Sequence, residues 1–178
     1  LTSATLSGSA SLGGVLGSDS VSVTGSAVGA FADKNVGTNK AILVSGLNLS
    51  GADAANYTVG ALSATADITA KALTVAYTAS NKVYDATTAA TVSGSSSDVL
   101  GSDVVTFSQS AVFANKNVGT GQTVNVTSIS LSGADAGNYS LQNTTASTTA
   151  DISRASLSVT GASASNKVYD ATTTATVS

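Results

Sequence analysis

The octapeptide Asn81-Lys82-Val83-Tyr84-Asp85-Ala86-Thr87-Thr88 returns as Asn166-Lys167-Val168-Tyr169-Asp170-Ala171-Thr172-Thr173, 85 residues further on. Lys34-Asn35-Val36-Gly37-Thr38 returns as Lys116-Asn117-Val118-Gly119-Thr120, and Gly51-Ala52-Asp53-Ala54 as Gly133-Ala134-Asp135-Ala136, both after 82 residues. Solenoid units run about 20 to 50 residues, so a longer period predicts a string of small independent domains. Any fold for this chain must therefore close within one such repeat.

Composition narrows the chemistry. The 178 residues include no Cys, His, Met, Pro or Trp, every acidic residue is Asp, and Ser and Thr make up nearly a third. The usual general base, thiol nucleophile and zinc ligands are missing, which argues against an enzyme. A net charge of -3 with 10% charged residues supplies no basic field for a nucleic acid. No run of 18 apolar residues and no signal-peptide pattern occurs, so nothing here is expected to enter a membrane by itself. Small apolar side chains interleaved with Ser and Thr suit half-buried strands over a thin core. A surface low in Lys and Arg and rich in Ser, Thr, Asn and Gly favours the outside of a cell.

Helix signals are nearly absent, whereas period-2 stretches bounded by Gly, Asn, Asp and Ser recur every 8 to 12 residues. The fold class expected is all-β, as tandem immunoglobulin-like β-sandwich repeats of about 82 to 85 residues. In the complete copy, Leu73, Val75 and Tyr77 mark a first strand, Ala90 and Val92 a second, Val105 and Phe107 a third, and Phe113 a short fourth segment. From Thr123 to Leu131, Val124 and Val126 share one parity and Ile129 and Leu131 the other. A bulge near Thr127-Ser128 would put all four on one face. Ile42 and Val44, followed by Gly46 and then Leu47 and Leu49, repeat the slip.

Asp53-Ala54-Ala55-Asn56-Tyr57 and Asp135-Ala136-Gly137-Asn138-Tyr139 resemble the tyrosine corner of immunoglobulin-like sandwiches, in which the phenol bonds back to the turn backbone. Ala66-Asp67-Ile68-Thr69 and Ala150-Asp151-Ile152-Ser153 then form each last strand. Domain boundaries follow at 1–70, a repeat lacking its first strand; 71–154, a complete repeat; and 155–178, the first strands of a third. Junctions this short predict a stiff rod.

The four motifs in this order resemble the YDG domain and the related MBG-type repeats, over essentially the whole chain. That family occurs in tandem in large secreted bacterial surface proteins, including filamentous-haemagglutinin-like adhesins. The resemblance implies an extracellular stalk or spacer module at the bacterial cell surface, without catalytic residues. One departure is that the glycine of the family's name is Ala86 and Ala171 here, which disfavours positive φ at that point.

The remaining candidates are weighed against turn and strand roles. Tyr84, Asp85, Tyr169 and Asp170 belong to the repeat motif and are read as structural, like Asp53, Tyr57, Asp135 and Tyr139. Asp85 or Asp170 with Asp19 or Asp103 could ligate calcium, but the dense Asp-x-Asp pattern is absent, and no cofactor is expected. Lys82 beside Asn81, and Lys167 beside Asn166, invite an intramolecular isopeptide bond. Asn-x-Ser/Thr sequons stand at Asn48, Asn56, Asn125, Asn138 and Asn143.

Three readings result. The first is a stalk whose partners are neighbouring repeats. The second is a filament in which 155–178 completes the open repeat of an identical chain by strand addition. The third is a carbohydrate-binding module, for host or matrix glycans or proteins, with exposed Tyr77 as its one hint.

Overall fold

The computed structural model of the chain describes residues 2–177. Among them there is no α-helix. The strands are β1 (Ser3–Ala4), β2 (Ser22–Phe31), β3 (Gly37–Ser50), β4 (Leu62–Ile68), β5 (Lys71–Leu73), β6 (Ala76–Ala79), β7 (Lys82–Val83), β8 (Val92–Ser95), β9 (Thr106–Phe113), β10 (Gly119–Ser132), β11 (Tyr139–Leu141) and β12 (Ala146–Ser153). Single 3-10 turns at Ala54–Asn56 and Ala136–Asn138 precede Tyr57 and Tyr139.

The chain forms two compact units. One comprises Leu1–Val75, Ser95–Ser108 and Ser130–Thr144. It holds the antiparallel sheet β1-β2-β3-β4 and the parallel pair β11-β5. The other comprises Ala76–Gly94, Gln109–Ile129 and Thr145–Ser178. Here Phe113, Val124, Ala150 and Ile152 form a core on which Ala79, Tyr84, Ala90, Val92 and Ala111 pack. Strand β7 adds to β12 in parallel, Ile152 opposite Lys82 and Ser153 opposite Val83.

The parity slip is present in both copies. Ile42, Val44, Leu47 and Leu49 face inward in β3, as do Val124, Val126, Ile129 and Leu131 in β10. Gly46 and Ser128, at equivalent places, adopt φ of +85° and +56°. The extra residue of the first copy lies in the partner strand, however: Gly25 faces Leu47 and Val28 faces Ser45, so Ser26 and Ala27 oppose Gly46 alone.

A second irregularity was not foreseen. Thr38 and Asn39 oppose Asp67, and Thr120 and Gly121 oppose Asp151. Asn39 and Gly121 are left-handed, and the facing carboxylate accepts each amide at 2.8 Å. The Asp of each Ala-Asp-Ile closing motif therefore satisfies a backbone donor that the sheet ladder leaves over.

Three expectations are corrected. Phe113 does not mark a separate segment: β9 runs unbroken from Thr106, alternating outward and inward through Phe107, Gln109 and Ala111. Its Ser and Gln positions hid that periodicity. The first strand of the complete copy is instead split into β5, paired with β11, and β6, paired with β8. Between them the Asn143 amide replaces a strand, accepting from Val75 N–H at 2.9 Å and donating to its carbonyl at 3.0 Å. Tyr77 is buried, its hydroxyl 3.5 Å from Gln109, so it offers no sugar platform.

In 155–177 no strand forms, and the pairing described is an isolated bridge between Ala164 and Val177.

Candidate functional site

Among the described residues no group of three or more acidic side chains could hold a metal ion. The built site is a meeting of two repeats. Tyr139 follows the 3-10 turn, which aims its ring at the Leu100–Asp103 turn. Its hydroxyl accepts from Leu100 N–H at 2.9 Å and donates to Asp103 Oδ2 at 2.8 Å. Asp135 accepts from Val104 N–H at 2.9 Å and donates its own amide to the Val104 carbonyl at 3.1 Å. These bonds tie both turns together and leave the outer oxygens of two carboxylates side by side.

Lys34 of the first repeat enters that gap. Its ammonium bonds Asp103 Oδ1 and lies 2.9 Å from Asp135 Oδ1. Asp103 and Asp135 are 16% and 18% exposed at the side chain, against 48% for Lys34, so the anions are fixed and the cation reaches in from outside. The hydrogen bonds to Asp103 and then Asp135 raise the Lys34 pKa well above the usual lysine value. Lys34, followed by Tyr139, holds Asp103 below the ordinary aspartate value. For Asp135 the Val104 amide contributes most and Lys34 next.

Beside the ion cluster, Asn138 Oδ1 accepts from Val36 N–H at 2.9 Å, and its amide donates to Asn35 Oδ1 at 3.3 Å. The donor loop is shaped by Asp33, whose Oδ1 accepts from Asn35 N–H at 2.8 Å. A cleft of about 640 Å³ lies at this junction, lined among others by Lys34, Val36, Ile68, Lys71, Leu100 and Tyr139.

The corner of the first repeat has the same internal bonds. Tyr57 Oη accepts from Leu16 N–H at 3.0 Å and donates to Asp19 Oδ2 at 2.7 Å, while Asp53 accepts from Ser20 N–H at 2.9 Å. The hydrogen bond to Asp19 raises the Tyr57 pKa. The corner hydroxyls thus bond to backbone across the turn, and their second bond goes to an Asp.

Lys82 closes the octapeptide loop. Its ammonium donates to Asp85 Oδ1 and the Thr87 carbonyl, both at 2.9 Å, and to the Ala89 carbonyl at 3.0 Å, and it stands 5.3 Å from the Phe113 ring centre. Asp85 also accepts from the Thr87 amide and hydroxyl, each at 2.9 Å. Asn81 Oδ1 accepts from Asp151 N–H at 2.7 Å. Lys82 and Asn81 are thus committed to different partners, which leaves no isopeptide geometry. Asp85 and Asp103 each bond a lysine within their own unit. Lys167, Asp170 and Thr172 repeat the loop with Lys167 2.9 Å from Asp170, although Tyr169 is 90% exposed.

Ala86 and Ala171 have φ of +64° and +60°. The left-handed backbone that alanine was expected to disfavour is thus adopted at both positions. The Asp-to-Thr bonds across the residue fix the turn, and the alanine is held in it.

A family profile described as the YDG domain matches residues 1–66 and 69–148. The chain belongs to the YDG family. No curated protein and no solved structure matches it. Within the YDG repeat, motif reading flagged Tyr57, Tyr139, Asp53 and Asp135 but gave Lys34 no role and took Asn138 for a turn residue. The signal was available, because Lys34 and Lys116 recur among neighbours that otherwise build only a turn.

Proposed function

We propose that this chain is a stalk segment of a large secreted bacterial surface protein, an adhesin of the kind that carries YDG and MBG-type repeats, built from immunoglobulin-like sandwiches and working outside the cell. The observation that carries the reading is the junction: Lys34 held between Asp103 and Asp135, with Asn138 bonded to Val36. Two repeats joined only by a passive linker would not aim two part-buried carboxylates of one at a lysine of the other. A junction fixed by directional bonds is what a spacer needs to keep a distal region away from its anchor.

Strand directions support a mechanical role. In the second repeat β7 pairs in parallel with β12, and β5 with β11. Pulling a repeat by its two ends draws such pairs past each other in shear, so their hydrogen bonds are loaded together instead of opening one by one. The test is small-angle scattering on arrays of two, four and six repeats. A stalk gives a maximum dimension that grows by a constant increment per repeat. Growth near the square root of repeat number, as for a flexible linker, would refute the reading.

A further inference from the structure

The repeated octapeptide takes no part in the Lys34 junction, yet it holds the point at which the chain leaves the second repeat. Its first four residues meet the last three of β12. Asn81 Oδ1 accepts from Asp151 N–H at 2.7 Å, Ile152 pairs with Lys82, and Ser153 pairs with Val83. The Ser153 hydroxyl donates to the Lys82 carbonyl at 3.4 Å, and Tyr84 N–H donates to the Ser153 carbonyl at 2.9 Å. Strand β7 is only two residues long, so these bonds hold β12 no better than β7 is itself held.

Lys82 supplies the second anchor. The sheet runs β7-β12-β10-β9, and beyond β9 Ala89 bridges Val112 while the Phe113 amide donates to the Thr88 carbonyl at 2.8 Å. From β7 at one edge, the ammonium reaches the Thr87 and Ala89 carbonyls at the other, at 2.9 and 3.0 Å, and passes 5.3 Å from the Phe113 ring centre. One side chain therefore closes the end of the sheet over a phenylalanine that is 2% exposed. Lys82 is itself 17% exposed at the side chain, so water competes little for its bonds. Asp85, accepting from the Thr87 amide and hydroxyl, fixes the turn that presents those carbonyls. The same internal bonds recur among Lys167, Asp170 and Thr172, so they belong to the module.

We propose that the octapeptide is a mechanical clamp on the exit strand, and that Lys82 sets the force the repeat withstands. Tension on the chain draws β12 along its own axis past β7, which runs parallel to it, so the bonds between them are sheared together. Strand β7 can follow β12 only by pulling the lysine away from the Thr87 and Ala89 carbonyls. The Lys34 junction fixes one repeat against the next, whereas the clamp keeps a repeat from being drawn open. The proposal rests on the stalk reading, which supplies the tension. Opening under force is governed by a rate, so the clamp is read in the kinetics of unfolding.

The chain contains no cysteine, so the pair Thr69→Cys and Ala155→Cys, both at exposed positions, gives handles that load the second repeat of the full chain between its ends. The unfolding rate at constant force is then measured with optical tweezers. Lys82→Met keeps an aliphatic stem over Phe113 and removes the ammonium. It should unfold about tenfold faster than the parent, the effect of losing one hydrogen bond to a charged group. Asn81→Ala, which frees the Asp151 amide, should unfold about threefold faster. With the second handle moved to Ser110→Cys, exposed on β9, β12 is not drawn past β7, and both variants should lose most of their effect. Rates unchanged by both variants in the end-to-end geometry, or raised equally in the two geometries, overturn the clamp and leave the stiffness of an array untouched. A parent repeat that opens end to end without a resolvable force barrier overturns the clamp together with the shear reading of the stalk.

Discussion

Replacing Ala86 with glycine should make the protein more stable, against the usual cost of glycine in ordered structure. Ala86 holds φ at +64°, where an L-residue with a Cβ costs about 1–2 kcal/mol. Glycine removes that cost but enlarges the unfolded ensemble by about 0.4–1 kcal/mol. The net gain is about 0.5–1 kcal/mol. Ala86 is exposed, so its methyl contributes no packing that would be lost. The bonds from the Thr87 amide and hydroxyl to Asp85 define the turn and involve no atom that changes. For a unit of this size the gain corresponds to a rise in Tm of about 2 to 8 °C. Thermal unfolding followed by far-ultraviolet circular dichroism reads it directly. Ala171→Gly supplies the control: the backbone is the same, at φ +60°, but its segment is exposed and carries no packed core. That variant should leave Tm unchanged within about 1 °C, the loop's strain having no cooperative fold to act on. A fall in Tm for Ala86→Gly, or equal shifts for both variants, would refute the reasoning.

Other perturbations follow from single contacts. Gly133→Ala should destabilise by on the order of 2–3 kcal/mol, read by urea unfolding, because φ is +111° and a Cβ would meet the Val104 carbonyl oxygen at 2.4 Å. Phe113→Ala should cost about 3–5 kcal/mol in the same assay, the side chain being 2% exposed in the core that Tyr84 and Val92 cover. Stability should fall on acidification: Lys82, the Thr87 amide and the Thr87 hydroxyl lower Asp85 to about 2 from its usual 3.8. A depressed carboxyl stabilises the fold above its unfolded pKa, so the contribution is complete above about pH 5 and lost as pH falls toward 2. A Tm that does not drop between pH 5 and pH 2, or that drops equally in Lys82→Met, contradicts this.

The sequence carried the strand map further than it carried the contacts between repeats. Parity along β10 revealed an irregularity because Val124, Val126, Ile129 and Leu131 are large enough to register a face. In the first copy the extra residue stayed hidden in β2, the partner of β3, since Ser26 and Ala27 have no side chain whose exposure would betray a slip. The corner tyrosines were legible because a phenol after Asp and a turn has few alternatives, and Asp19 and Asp103 were not foreseen as their acceptors. Long-range polar pairing left no periodic trace: Asn143 sits in a sequon, yet its amide substitutes for a strand at Val75. Lys34 lies 69 residues from Asp103, a separation that neither spacing nor propensity encodes. Only the recurrence of the lysine in both copies pointed to it.

The claim that the repeats are held by a built junction is tested most directly at the amide of Val36, whose partner is Asn138 Oδ1 of the following repeat. Hydrogen exchange resolved by residue should show this amide protected in the native chain and exchanging freely in Asn138→Ala, while the β3 and β10 amides stay slow in both. A Val36 amide that exchanges at the unstructured rate in the native chain, with those sheets protected, would mean that the junction does not hold the repeats together.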